Sequence, residues 1–271
     1  MVKMMSATSV PLLAVQTGHQ SGGWSDGVPV WLSHLSELAP WLLTGLWLFV
    51  VGRAYLRRDR YRAVDVLSAA DRSLVSSAIR RAEERTVGEI VPVVLERSDG
   101  HPGANWLAAF VSTILGSVLL APVLPWNSPA LVIVLQTLLG VMGWLVASRL
   151  ADVSGLFVSD RRADEVTGEQ ALQEFYTLGL QKTEAATGVL LFVSLAEHRV
   201  LVLGDTGINA VMGDENWSGV VNHVLEGVAK GDLAGGLVAA IDELGTVLAE
   251  EFPWKEGDRN ELPDRLIVRQ Q

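Results

Sequence analysis

Four acidic residues stand at positions where an α/β protein could hold a hard metal ion. Glu89 opens a run of apolar residues that is typical of a buried strand, and Asp205 closely follows another such run. Asp214 and Glu215 stand side by side a little further on. Ligands of α/β proteins bind beside the ends of strands, and Ca²⁺ takes about six to eight oxygen ligands. We therefore predict that these four carboxylates, with loop carbonyls, form a site for a divalent cation, Ca²⁺ or Mg²⁺.

The enzyme chemistry open to this chain is limited by its composition. It has no cysteine, which excludes disulfides, thiolate nucleophiles and Cys-ligated metals. A phosphate-hydrolysing enzyme would then need a carboxylate, serine or histidine nucleophile, or a metal-activated water. The spacing gives His198 and His223 no Ser or Asp partner, and acidic residues are also common in turns and at helix N-termini. The sequence therefore indicates no complete catalytic set.

The elements that must position the carboxylates begin in residues 65–100. Apolar residues recur at helical spacing from Leu74 to Ala82, and Asp71 is the expected N-cap. The run from Glu89 to Leu95 predicts a strand, in which Pro92 favours a sheet edge or a bulge because it lacks an N–H. This segment alone is too small to bury a core.

A second water-facing segment, residues 156–254, supplies the remaining elements. It predicts a helix over 164–181, an apolar strand over 188–195, a hairpin partner over 199–203 and two amphipathic helices. Together the two segments give the order α-β-α-β-β-α-α, a small α/β sandwich. We expect the charged tail at 255–271 to be loose.

A long apolar stretch separates the two halves of this sandwich. No Asp, Glu, Lys or Arg occurs between residues 102 and 148, which is long enough for two membrane-spanning helices of about 20 residues. Prolines at 125 and 129 flank a turn in its centre. We predict a transmembrane helical hairpin over 105–150, inserted between the first strand and the next helix.

A further membrane helix is predicted nearer the N-terminus, over 31–56, with a disordered tail at 1–30. Leu38–Gly52 carries no charge, and an interfacial helix is the alternative because this stretch is short. Five arginines follow it between residues 53 and 62. Because basic residues stay on the cytoplasmic side, the N-terminus is expected outside and the α/β domain in the cytoplasm. The expected location is the inner (cytoplasmic) membrane of a bacterium, as a multi-pass protein.

The charge distribution indicates which kinds of molecule this protein can bind. The net charge is −10, which argues against nucleic acid. Residues 151–271 carry 9 Lys/Arg and 21 Asp/Glu, against 12 and 10 in residues 1–150, so the acidic part is the water-facing part. The lipid bilayer is one expected partner, and membrane proteins or a second copy are others, since Gly140 and Gly143 allow close helix packing. Two helices with no ionisable residue argue against a channel or carrier.

The order of several short motifs resembles a known family. They are Thr86-x-Gly88-Glu89-Ile90-Val91, Ala171-x-x-x-Phe175, Gly179-Leu180-x-x-Thr183, Gly188-Val189-Leu190-Leu191-Phe192-Val193-Ser194, Arg199, Asp205-x-Gly207-Ile208, Trp217, Gly235-Gly236-Leu237 with Ile241, and Phe252-Pro253. In this order they resemble the TPM domain family, over about residues 65–253. The resemblance implies a Rossmann-like α/β/α sandwich. It also implies the range of roles described for the family, which are acid phosphatase activity, divalent-cation binding and service as an accessory factor of membrane complexes.

Two features depart from the simple form of the family. The hairpin interrupts a domain that is continuous in other members, and the expected cytoplasmic side differs from that of lumenal or periplasmic members. The sequence therefore favours an integral membrane protein whose TPM-like domain is an interaction or accessory module able to bind a divalent cation. The alternative is a metal-dependent, acid-phosphatase-like hydrolase.

Overall fold

The computed structural model describes residues 30–57, 66–122, 125, 127–212 and 217–269, with side chains from residue 41 onward. Its helices and strands, in chain order, are α1 Val30–Arg57, α2 Ala69–Glu83, β1 Glu89–Leu95, α3 Pro102–Leu120, α4 Pro129–Arg149, α5 Ala151–Gly155, α6 Asp160–Leu178, β2 Gly188–Ser194, β3 Arg199–Gly204, α7 Thr206–Asn209, α8 Ser218–Lys230, α9 Leu233–Glu251 and β4 Ile267–Arg269. The expected outer tail at 1–30 lies almost wholly outside the described residues.

The strands form one mixed sheet in the order β3-β2-β1-β4. β1 runs parallel to β2, with Glu89 opposite Gly188, and β3 is antiparallel to β2. β4 pairs in parallel with the second half of β1, so that Val93 lies opposite Ile267. The expectation of a loose C-terminal tail is therefore wrong, because three of its residues complete the sheet as a fourth strand.

Pro92 lies where the sequence predicted, at a free stretch of sheet edge. The N–H of Ile90 points away from β2 and donates to Glu83 Oε1 at 2.9 Å. Alternate residues of a parallel strand direct their N–H groups to the same side, so the missing N–H of Pro92 also falls there. β4 pairs with β1 only from Val93 onward, and the proline therefore removes no ladder hydrogen bond.

Helices cover both faces of the sheet, because successive strand residues point to opposite sides. On one face, Ile90 and Val94 of β1 pack against α2, α8 and α9. On the other, Val91, Val93 and Leu95 pack against Ala171 and Phe175 of α6. The mixed α/β fold expected from the sequence is confirmed, with β1 as part of the same sheet as the elements that follow the hairpin.

The N-cap of helix α2 lies three residues before the residue expected from the sequence. Ser68 is its N-cap: the Ser68 hydroxyl accepts the N–H of Asp71 at 3.2 Å, and Asp71 Oδ2 accepts the N–H of Ser68 at 2.9 Å. This reciprocal pair is a capping box. Asp71 is therefore the third helical residue and not the N-cap.

Helices α3 and α4 pack against each other as the predicted hairpin. A Cβ on Gly140 or Gly143 would meet the side chains of Thr113 or Ser112, so both glycines allow the close approach. The outward surfaces of the two helices are apolar and exposed. Of the most apolar 18-residue stretch of each helix, only 22% is buried in α3 and 11% in α4. A core helix of a soluble protein would be mostly buried, whereas these are long and apolar enough to cross a membrane.

Candidate functional site

Glu89 stands at the first position of β1 and is buried. Its carboxylate accepts the backbone N–H of Glu261 at 2.9 Å and that of Leu262 at 3.3 Å. Burial raises the pKa of Glu89, although the two backbone donors act in the opposite direction. The predicted metal ligand is therefore engaged in holding the segment that leads into β4.

Asp205 follows β3 and is the N-cap of the short helix α7. Its N–H donates to the carbonyl of Gly188 at 2.9 Å, and its Oδ1 accepts the N–H of Thr206 at 2.7 Å. Asp205 is only 7% exposed, and its Oδ2 is buried without a hydrogen-bond partner in the described part of the chain. One oxygen of this carboxylate thus remains available.

The structure brings Glu89 and Asp205 to the same end of the sheet, as expected from their strands. Gly188 lies between them, since it pairs with Glu89 and accepts from Asp205. Two interstrand spacings separate their backbones by about 9–10 Å, and each carboxylate faces its own backbone donors. Asp214 and Glu215 lie outside the described residues. Among the residues that are described, no three His, Cys, Asp or Glu side chains are grouped to hold a metal ion, and the four-residue site stays a prediction.

Further acidic residues, which the sequence did not single out, gather around Glu89. A cavity of about 290 Å³ lies beside it, lined by Glu83 and Glu84 at the end of α2 and by Asp258 and Asp264. Burial raises the pKa of Glu83 to about 8, and the neighbouring charges of Glu89 and Asp264 act in the same direction. At pH 7 Glu83 is therefore mainly protonated. The tail acids were overlooked because the tail was expected to be loose.

A second polar cluster lies at the opposite end of the sheet, where β1 and β2 finish. Glu197, in the turn after β2, accepts a hydrogen bond from His101 Nε2 at 2.8 Å and one from the Ser98 N–H at 3.0 Å. The Ser194 hydroxyl also donates to Glu197 and accepts from the Ser98 hydroxyl at 2.8 Å. Ser98, His101, Ser194 and Glu197 are all buried. We call these four residues the junction cluster.

The charge of the junction cluster is centred on Glu197. Burial raises the pKa of this carboxyl, but the hydrogen bonds from His101, Ser194 and Ser98 outweigh burial, and the net pKa is lowered. Asp99 lies 3.6 Å from His101 Nδ1 and 3.5 Å from an Arg162 guanidinium nitrogen. A buried carboxylate with several donors is strongly held in place, so the cluster fixes the backbone positions of its members.

The junction cluster joins the hairpin to the sheet. His101 is the residue directly before α3, and it adopts a left-handed backbone with φ 44°. This conformation costs a residue with a side chain roughly 1–2 kcal/mol, and it persists because the surrounding contacts impose it. The first hairpin helix therefore leaves the end of β1 in a direction set by the His101–Glu197 contact.

The arrangement of the junction cluster does not match that of a serine hydrolase. The Ser194 hydroxyl donates to a carboxylate, whereas a nucleophilic serine donates to a histidine that acts as base. His101 contacts Glu197 instead. The four side chains thus satisfy one another.

A polar cavity of about 290 Å³ lies beside the junction cluster. Its lining includes Arg97, Asp152, Ser154, Asp160 and Arg199. Arg199 is held by Asp164 at 2.5 Å and by Asp160 at 2.9 Å. Since α5 and the start of α6 form one wall, the cavity lies where the hairpin returns to the domain.

Two comparisons with known proteins gave a match. A family model described as the TPM domain matches residues 151–247, which run from α5 into α9. The chain therefore carries a TPM domain, and the resemblance noted in the sequence is confirmed. The structure is similar to the NMR structure of BA42 protein from the psychrophilic bacterium Bizionia argentinensis, with 22% identity and a TM-score of 0.48, over 75% of this chain and 95% of that one. No curated protein matches.

Proposed function

We propose that this protein is a membrane-anchored TPM-domain protein whose water-facing domain acts as an interaction or accessory module. The observation that carries the proposal is the junction cluster, which fixes the foot of an apolar helical hairpin to the carboxyl ends of β1 and β2. In this proposal the TPM domain is split, with α2 and β1 before the hairpin and the matched residues after it.

The dimensions of the hairpin support anchoring. At about 1.5 Å per residue, the 19 residues of α3 and the 21 of α4 are about 29 and 32 Å long, near the roughly 30 Å of a bilayer core. At the foot, Ala108 and Ala147 pack with Ala54 of α1 and with Val153 of α5. The hairpin is thus held by the domain at one end and exposes apolar side chains along the rest.

The orientation follows from the basic residues at that foot. Arg53 and Arg57 lie in the last turns of α1, Arg149 ends α4, and Arg97 lies just after β1. By the positive-inside rule this side is cytoplasmic. The domain would then face the cytoplasm of a bacterium, with the hairpin turn and the N-terminus outside.

Single-cysteine labelling tests anchoring and orientation, because the natural chain has no cysteine. Membranes washed with alkaline carbonate should retain the protein. In intact cells an impermeant maleimide should label Asn127→Cys in the hairpin turn and leave Glu250→Cys on the exposed part of α9 unlabelled until the cells are opened. Release by carbonate would refute anchoring, and the reverse labelling pattern would refute the orientation.

The accessory role is tested by comparing partner capture with catalysis. In vivo cross-linking should recover a reproducible membrane-protein partner, and disruption of the junction cluster by Glu197→Gln should reduce that recovery. Phosphomonoester hydrolysis should be absent from the wild type. Activity that is lost in Glu89→Gln and Asp205→Asn would instead favour the hydrolase.

A divalent-cation site at Asp205 is the second candidate function, and the unpartnered buried Oδ2 of that residue favours it. A cation at about 100 times its dissociation constant would add about 2.7 kcal/mol to the unfolding free energy. Thermal unfolding of the detergent-solubilised protein should therefore shift upward with Ca²⁺ or Mg²⁺. Asp205→Asn should abolish the shift, whereas Asp242→Asn, on the exposed face of α9, should preserve it. No shift with either ion would remove this candidate.

A further inference from the structure

One outward face of the hairpin forms an apolar groove of about 690 Å³ between α3 and α4. Trp106 and Phe110 line it from α3, and Ile133, Gly140 and Trp144 line it from α4. Trp106 and Phe110 are 69% and 64% exposed. The side chains that line the groove are therefore accessible to another helix.

Gln136 also lines this groove, and its amide has no hydrogen-bond partner in the described part of the chain. The two threonines that line the groove differ in this respect. The Thr113 hydroxyl donates to the carbonyl of Ala109 at 2.9 Å, and the Thr137 hydroxyl donates to that of Ile133 at 2.8 Å. The threonines are thus satisfied within their own helices, whereas the glutamine is not.

The position of Gln136 along α4 makes this unpaired amide costly in a bilayer. It lies seven residues after Pro129 and thirteen before Arg149, about 10 Å and 20 Å along the helix. In a spanning hairpin it lies within the hydrocarbon region, where water supplies no partner. Amide side chains in this setting form hydrogen bonds between helices.

We propose that the groove is the interface between two copies of this chain in the membrane, with their Gln136 amides paired across a two-fold axis. The proposal rests on the anchoring role proposed above. A second copy inserted in the same orientation presents its own Gln136 at the same depth. Because a primary amide both donates and accepts, two identical amides satisfy each other, as a self-complementary two-fold interface requires.

The other faces of the hairpin fit this arrangement. α1 packs on the hairpin near its foot, through Ala54, Ala108 and Ala147. The face of α4 that includes Leu131, Leu138 and Leu145 is exposed and apolar, so lipid covers it without loss. A lipid chain in the groove would leave the Gln136 amide without a hydrogen-bond partner, whereas a second copy of the chain would supply one. The groove therefore fits a second copy better than lipid.

Disulfide formation between single cysteines tests the interface in native membranes. Ile133→Cys lies in the groove, and Leu138→Cys lies on the opposite face. The wild-type residues are 63% and 59% exposed and lie on either side of Gln136, which makes them matched sites. On mild oxidation, Ile133→Cys should give a species of twice the monomer mass, and Leu138→Cys should give little.

Gln136→Leu in the Ile133→Cys background tests the amide itself. Interhelical polar contacts in membranes contribute about 0.6–2 kcal/mol, so the dissociation constant should rise about 3- to 30-fold. Equal cross-linking at both sites, none at either, cross-linking unaffected by Gln136→Leu, or a product of another mass would overturn the dimer. Carbonate extraction of the same membranes separates the two proposals: a released protein refutes anchoring, whereas a retained but uncross-linked one refutes only the interface.

Discussion

Replacing Glu83 with glutamine should remove much of the loss of stability that the domain undergoes as pH rises. Glu83 Oε1 accepts the N–H of Ile90. In the ionised carboxylate, Oε2 is buried and has no hydrogen-bond partner among the described residues. Burial raises the pKa of this carboxyl to about 8, and the charges of Glu89 and Asp264 add to the effect. The protonated carboxyl can donate its hydrogen to Asp264.

The sign and size of the effect follow from the two pKa values of Glu83. In the unfolded chain the pKa is near 4.5, and in the folded chain it is about 8. Between these values the folded state retains a proton that the unfolded state has released, so the unfolding free energy falls as pH rises. This contribution is complete below pH 4.5 and is lost as pH passes through about 8. At about 1.36 kcal/mol per pKa unit, the total loss is at most about 5 kcal/mol.

The measurement is denaturant-induced unfolding of the detergent-solubilised full chain between pH 5 and 8.5. A glutamine keeps an oxygen for the Ile90 N–H and offers an amide hydrogen to Asp264, so it imitates the protonated acid. The variant should match the wild type near pH 5 and exceed it increasingly toward pH 8.5. Glu89, Asp258 and Arg80, which is 3.7 Å from Asp264, are the same in both proteins.

Glu84→Gln is the matched control, because Glu84 is the next residue and is exposed. It should leave the wild-type pH dependence in place. If Glu83→Gln unfolds with the same pH dependence as the wild type, Glu83 is charged at neutral pH, and the proton assigned to it is wrong.

Three other predictions concern how the elements are held together. Glu197→Gln should lower the unfolding free energy by about 2 kcal/mol, because an amide NH2 group, which only donates, replaces a carboxylate oxygen that accepts hydrogen bonds in a buried site. Gly143→Ala should destabilise the hairpin by roughly 1–3 kcal/mol, since the new methyl group would overlap Ser112. Deletion of residues 264–271 should expose the edge of β1 and cause aggregation, detected by size-exclusion chromatography.

Each of these predictions has a control or a contrary outcome. Glu226→Gln removes an exposed contact with Lys230 at 3.0 Å and should leave the unfolding free energy nearly unchanged. Gly103→Ala, where a Cβ would meet no atom within 4 Å, should be tolerated. A truncated chain that stays monomeric and unfolds like the full chain would show that β4 does not protect the sheet edge.

The parts of the fold that sequence patterns predicted are those set by neighbouring residues. The run from Glu89 to Leu95 contains its own strand signal, and Pro92 identified the unpaired edge. β4 was missed because Ile267–Arg269 is too short for a periodic pattern, and its strand conformation depends on pairing with β1. The loose tail was a reasonable inference from composition, but composition carries no information about long-range pairing.

The candidate site, like the fold, could be predicted from the sequence only where local patterns determine it. Glu89 was predicted to be a metal ligand from its place at a strand start, but its hydrogen-bond partner Glu261 lies 172 residues away. His101 and Glu197 are 96 residues apart, and no local pattern relates them. A buried pair of this kind depends on the closure of the whole sheet, so single-sequence reasoning identifies its members only as an isolated histidine and a turn glutamate.

The insertion of the hairpin between β1 and β2 also has a consequence for biosynthesis. β2 begins 93 residues after β1 ends, and β4 begins 73 residues after β2 ends. At about 5–20 residues per second, β1 leaves the ribosome roughly 5–20 s before its first partner. In the anchored protein proposed above, the hairpin would therefore reach the membrane while both edges of β1 are still unpaired, and the sheet closes only once β4 has been synthesised. Chaperones or the insertion machinery would have to shield this strand in every newly made molecule.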